Sequence, residues 1–181
     1  YNIHSKIEPK SPYGISKAAA FWLTQTYRKN FDIFCCTGIL FNHESPLRSK
    51  EFVTKKIVDT ALKIKRKKGI ILRLGNVEIV RDWGWAPDYV KAIWLMMQRN
   101  KPRDFIIGSG QTHSLKDFVN EVFKYLDISK KNLKTNVSKY KRKIDLRGYK
   151  ANIKDTRRIL KWEPKLKFKT IVHKMINNEL F

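Results

Sequence analysis

Tyr13 and Lys17 stand four residues apart in the run Tyr13-Gly14-Ile15-Ser16-Lys17, the spacing that puts two side chains on one face of a helix. An ammonium beside a phenol favours the phenolate and makes the ring a usable acid/base near neutrality. Such a pair serves hydride transfer, which requires a nicotinamide cofactor. With 7 Tyr and 39 Lys plus Arg in 181 residues, roughly one such pair arises by chance, so it needs context.

A second cluster, Asn42-His43-Glu44-Ser45-Pro46 with Arg48, closes an apolar run. In α/β sheets, ligands sit beyond the carboxyl ends of strands. Asn42 offers donor and acceptor, His43 a ring donor, and Arg48 a planar fork suited to phosphate. The plain alternative is a polar loop with a Pro turn. A third cluster comprises Leu74-Gly75-Asn76, Arg81-Asp82-Trp83-Gly84-Trp85 and Asp88-Tyr89-Val90. Arg81 can grip a diphosphate bidentately, with Asp82 or Asp88 orienting it or capping the next helix. Equally, an Arg–Asp pair and two Trp can seal a domain interface. His4, His43, His113 and His173 are too dispersed to propose a metal site. Gly108-Ser109-Gly110 lacks the third glycine of a dinucleotide fingerprint and reads as an ordinary turn. Met96-Met97 reads as core.

The elements that must position these residues alternate between strand and helix, which argues an α/β fold. Ser11-Pro12 opens a helix that runs to about Arg28. FDIFCCTGIL (31–40) is a continuous apolar run, as expected of a buried strand. Residues 52–68 have helical period, with Gly69 as the stop. A short strand at 70–74 runs into a Gly75-Asn76 turn. Helices follow over 87–98 and, capped by Ser114, over 115–126, with a short strand at 105–107 between them. Residues 127–150 are Lys-rich and poorly periodic, a long surface connection with one strand. Helices at 154–160 and 169–180 close the chain around a Trp162-Glu163-Pro164 break.

The net charge is +23. It suits either a polyanionic partner or a composition biased toward Lys, Ile and Asn. The basic residues are scattered, and the densest run (63–68) ends a predicted helix, where cations complement the dipole. Compositional bias is therefore the better reading, and nucleic acid is not an expected partner. No apolar run approaches the roughly 20 residues of a membrane span. The adjacent Cys35 and Cys36 are poorly placed for a structural disulfide and suit a reducing cytoplasm.

Together the three clusters resemble the extended short-chain dehydrogenase/reductase superfamily, and within it the GDP-mannose 4,6-dehydratase family. The carrying stretches are SPYGISKAAAFWLTQTYRKNFDIFCCTGILFNHESPLRSKEFVTKKI (11–57), LGNVEIVRDWGWAPDYVKAIWLMMQ (74–98) and FIIGSGQTHSLKDFV (105–119). NHESP and RDWG…DYV are far more specific than Tyr-x-x-x-Lys and favour this family over its epimerase relatives. The resemblance implies conversion of GDP-mannose to GDP-4-dehydro-6-deoxy-mannose with internal hydride transfer through NADP, a step toward GDP-fucose. Tyr13 would be the acid/base at the sugar 4-hydroxyl, and Lys17 would hold the nicotinamide ribose. His43 and Arg48 fall at the cofactor. Asn42, Lys56, Gly75, Asn76 and Arg81 fall at the substrate's diphosphate and nucleoside. Arg142 and Asp145 match a later nucleotide-binding Arg and acid. The match is loose there: the family's Arg-Pro is Arg142-Lys143, and an acidic residue opening the penultimate helix is Asn152.

The implied fold is the C-terminal part of a Rossmann-like extended short-chain dehydrogenase/reductase plus a small α/β substrate domain. Residues 1–48 would finish the cofactor-binding domain. Residues 49–181 would be mainly the substrate domain, with a return to the Rossmann sheet near 70–110. Only 12 residues precede Tyr13, too few for a strand, Gly-rich turn and helix. The family's Gly-rich loop, its active-site Thr or Ser and the Glu that abstracts the carbon-5 proton would all lie upstream of Tyr1. The expectation is a hydro-lyase acting as part of a longer, homo-oligomeric chain, with these residues inactive alone. The alternatives are another nucleotide-sugar dehydratase, epimerase or reductase of the same build, or a non-catalytic basic nucleic-acid-binding fragment.

Overall fold

A computed structural model of the chain describes residues 1–140 and 148–180. Helix α1 (Pro12–Asn30) begins where Ser11 accepts a hydrogen bond from the Gly14 N–H at 3.0 Å, with Pro12 at its first position. The strand expected over 31–40 is shorter. Only β1 (Thr37–Leu40) forms a ladder, because only there does β6 (Asp104–Ile107) lie alongside in parallel register. Upstream of it, the Cys35 carbonyl accepts from Arg28 Nε at 2.8 Å, and Phe31, Ile33 and Phe34 are exposed.

The Phe41 N–H donates to Ile107 and carries that ladder one residue further. Strand β2 (Asn42–Glu44) then pairs in parallel with β5 (Trp83–Trp85). Strand β3 (Leu72–Arg73) runs parallel to β8 (Leu133–Lys134), which lies in the connection expected to be mostly surface loop. Strand β4 (Val80–Arg81) pairs antiparallel with β7 (His113–Ser114). Among the described residues, three of the four ladders are thus parallel, as expected of an α/β chain.

The largest core lies where helices α2 (Val53–Arg66), α4 (Leu115–Tyr125) and α6 (Phe168–Asn177) meet. Their apolar stripes bury Ile57, Val58, Phe118, Val122, Ile171 and Met175 against Leu72, Leu74, Trp83 and Trp85. A second cluster joins Tyr89, Ala92 and Met96 of α3 (Ala86–Met97) to Phe105, Ile107, Trp162 and Leu160, the last residue of α5 (Lys154–Leu160). Met96 is core as expected; Met97, also expected in the core, is exposed because it lies about 100° further round the helix. No described helix is long and apolar enough to cross a membrane.

Candidate functional site

Tyr13 and Lys17 share one open face of α1. The ring is 71% exposed, and the ammonium lies 5.6 Å from its centroid. Nothing covers the phenol, so a substrate can reach it. Among the described residues, the hydrogen bonds that tie α1 to Cys35 and to Asp104 of β6 sit at its other end. Arg28 bridges both oxygens of Asp104, Gln25 donates to one of them at 3.1 Å, and the Thr24 carbonyl accepts from Cys35. Burial alone would raise the Asp104 carboxyl, but the hydrogen bonds from Arg28 and Gln25 outweigh it and hold the group below the usual carboxylate range.

In β2, Asn42 and His43 contact Tyr89 of α3. The Asn42 carbonyl accepts from the Tyr89 hydroxyl at 3.3 Å, and the His43 ring stands 5.4 Å from the Tyr89 ring. His43 Nδ1 lies 3.0 Å from the Phe41 carbonyl, a contact that fixes the imidazole plane. Burial, then the charges of Asp82, Glu44 and Asp88, push the Tyr89 phenol far up. A Cβ at Gly84 would strike that ring, so only glycine lets Tyr89 sit under β5. Arg48 reaches back to Glu44 at 3.5 Å instead of pointing into open solvent. Glu44 is almost fully buried, and that burial pushes its carboxyl up to about 7 despite a hydrogen bond from Thr54 and the charge of Arg48.

The third group gathers residues distant in sequence. Lys56 of α2 donates to the Arg73 carbonyl at 3.0 Å and lies 3.7 Å from the Tyr140 ring centroid. The Gly75 carbonyl accepts from the Asn136 N–H at 2.9 Å, and a Cβ on Gly75 would collide with the Tyr140 backbone. Asn76 accepts from the Glu78 N–H at 2.9 Å and holds the turn that follows. Arg81 donates to the Val80 carbonyl at 2.8 Å, and its guanidinium lies 5.1 Å from the Tyr149 ring. Arg142 and Asp145 lie outside the described residues.

Two acids of the third cluster have partners that the sequence did not announce. Asp82, fully buried, accepts from the Ser109 N–H and hydroxyl at 2.7 Å each, the Gly110 N–H at 2.9 Å and the Ala151 N–H at 3.1 Å. The turn at 108–110 is thus a fastening for Asp82. Asp88 accepts from the Lys165 and Leu166 N–H groups, and its carbonyl takes the Trp162 indole N–H at 3.0 Å. Trp83 and Trp85 are core residues. Thr54 and Tyr140, which neither spacing nor composition singled out, complete the contacts of Glu44 and Lys56.

Among the described residues, no group of three or more His, Cys, Asp or Glu is placed to hold a metal ion. An open hollow of about 480 Å³ bordered by Asn120, Phe123, Lys124 and Lys130 includes none of the candidate residues.

Comparison with known proteins adds a family and a fold. The family model described as GDP-mannose 4,6 dehydratase matches residues 2–175. GDP-mannose 4,6 dehydratase 1 of Arabidopsis thaliana is 39% identical over 172 residues, covering 95% of this chain and 48% of that protein. The human GDP-mannose 4,6 dehydratase is 34% identical over 189 residues, covering 95% and 51%. The chain therefore spans about half the length of the curated relatives it matches. Among solved structures, dTDP-glucose 4,6-dehydratase from Bacillus anthracis in complex with NAD superposes with a TM-score of 0.88 at 24% identity, over 98% of this chain and 54% of that one. RMD from Pseudomonas aeruginosa complexed with NADPH gives 0.84 at 17%, over 94% and 56%. These likenesses show the fold, that of the Rossmann-like extended short-chain dehydrogenase/reductases.

Proposed function

The chain belongs to the GDP-mannose 4,6-dehydratase family, and on that premise we propose that it supplies the acid/base pair and most of the nucleotide-sugar site of an enzyme that dehydrates GDP-mannose to GDP-4-dehydro-6-deoxy-mannose. The observation that carries this reading is a phenol and an ammonium on one uncovered helix face, in a chain that matches the family from residue 2 to residue 175.

A nicotinamide cofactor, NADP in this reading, would supply the hydride chemistry, held by Tyr13, Lys17, His43 and Arg48. Tyr13 takes the proton of the sugar 4-hydroxyl as the 4-ketone forms, and the product keeps that ketone. Lys17 keeps positive charge beside the phenol and holds the ribose of the cofactor. His43, its ring plane fixed by the Phe41 carbonyl, and Arg48 line the cofactor. Asn42, Lys56, Gly75, Asn76 and Arg81 hold diphosphate and nucleoside, joined by Arg142 and Asp145. The residues present fit these tasks: guanidinium and ammonium groups suit phosphate oxygens. Residues 1–48 serve the cofactor domain, residues 49–181 mainly the substrate domain, and the working protein is a cytoplasmic homo-oligomer whose Cys35 and Cys36 remain free thiols.

The test is Tyr13→Phe in the protein at its native length. Turnover of GDP-mannose falls by about 10²–10⁴-fold, the range for loss of a positioned acid/base, while affinity for GDP-mannose stays within about threefold. Turnover comparable to the unmodified protein would remove Tyr13 from the reaction.

A further inference from the structure

The loop between β2 and α2 is closed on one buried carboxylate. Glu44, 1% exposed, ends β2 opposite Trp85. Thr54 Oγ1, in the first turn of α2, donates to its Oε2 at 2.6 Å. Arg48 Nε comes within 3.5 Å of the same oxygen. That is an ionic contact without a hydrogen bond: the buried Nε has no hydrogen-bond partner among the described residues. The guanidinium is held meanwhile against the Phe52 ring, 3.6 Å from its centroid. Arg48 is therefore drawn to Glu44 by charge, with a donor left unspent.

Among the described residues, the other groups facing this carboxylate offer no second cation. From α3 comes the Tyr89 phenol, with Asp82 and Asp88 adding negative charge around it. From α2 comes the neutral Thr54 hydroxyl, and Arg48 is the cation whose charge acts on the group. A carboxylate with so little compensation in a dry site is costly to keep ionised. Its proton affinity is already raised into the neutral range, so changing protonation state there requires little free energy.

We propose that Glu44 is a positioning residue that hands over Arg48: in the free protein its carboxylate holds the guanidinium, and when a phosphate of the nucleotide cofactor takes Arg48, the carboxyl takes one proton from solvent and stays buried on Thr54. One ion pair replaces another, and the buried charge disappears instead of being stranded. The hand-over rests on the reading of Arg48 as a cofactor ligand given above. It makes cofactor binding and proton uptake one linked event. Removing Arg48 raises the carboxyl's proton affinity further, so the bound state holds the proton more tightly and affinity weakens as pH rises.

The experiment is calorimetric titration of NADPH into the protein at its native length, in buffers of different ionisation enthalpy. Near pH 7.5 the unmodified protein takes up about half a proton per NADPH, and its affinity weakens roughly tenfold between pH 6.5 and 8.5. Glu44→Gln keeps the volume and the Thr54 hydrogen bond, and it abolishes that uptake and flattens that slope. Arg48→Gln also abolishes the uptake, because the carboxyl then has no cation to lose on binding. NADPH binding with no proton uptake, or with uptake unchanged in both variants, overturns the hand-over and leaves the cofactor reading standing. Failure of the unmodified protein to bind NADPH overturns both.

Discussion

Asp82 and Glu44 are buried carboxylates solved in opposite ways. Asp82 spends its oxygens on four donors, three of them backbone N–H groups of 109, 110 and 151. Glu44 has one hydrogen bond and one ion pair. A carboxylate with several donors is a fastening, and one with few is costly to keep ionised. Asp82→Ala would leave three backbone donors in a dry site without their acceptor, each costing about 1–3 kcal/mol. Urea unfolding should show a loss of about 3–5 kcal/mol; a change below about 1 kcal/mol would mean that the turn at 109–110 finds another acceptor. The acid–Arg–Trp composition of this region was legible in the sequence, but the partners of Asp82 and Asp88 were not. Most of them donate through backbone N–H groups far along the chain, and every residue but proline carries such a group. Tyr140 escaped notice for a related reason, since its ring meets Lys56 only after β8 has folded back beside β3.

At the scale of elements, local signals held best where the chain satisfies its own termini. Helix α4 starts where expected because Ser114 and Asp117 form a reciprocal capping box, with the Asp117 N–H donating to Ser114 at 3.0 Å and the Ser114 N–H to Asp117 at 2.8 Å. Ser114→Ala should cost about 1 kcal/mol in thermal or urea unfolding, and a loss under a few tenths would show that β7 pairing holds the helix start by itself. The hydrogen bonds to Ser114 also hold the Asp117 carboxyl below its usual range. The folded value lies under the unfolded one, so this contribution is present above the ordinary Asp range and is lost as pH falls through the lower value. The strand at 31–40 failed in part for a physical reason. An apolar run reports that a segment is suited to burial, but pairing depends on a neighbour, and the described neighbour β6 reaches only 37–40.

Taken whole, the described chain leaves broad apolar faces open. On α1, Trp22, Leu23 and Tyr27 are each half or more exposed. On α3, Val90 and Trp94 are too, with Met97 beside them. Contiguous exposed apolar surface of this kind marks a face that something covers. Produced by themselves, these 181 residues should self-associate and brighten a hydrophobic dye, and Trp22→Lys with Trp94→Lys should reduce both. A dye-silent monomer at about 100 µM would show that the faces are not adhesive.

The same helix has a mechanical property. Its fastenings gather near Arg28, while Tyr13 rides fifteen residues away, about 22 Å along a rod that rises about 1.5 Å per residue. Such a rod is a lever with its fulcrum at Asp104. A tilt of about 3° at the fulcrum moves the phenol by about 1 Å, and misplacement of that size is enough to lower a rate about a hundredfold. Asp104, which touches no candidate substrate or cofactor residue, is therefore expected to bear on the aim of the group proposed to do the chemistry, and Asp104→Asn should lower turnover without weakening GDP-mannose binding.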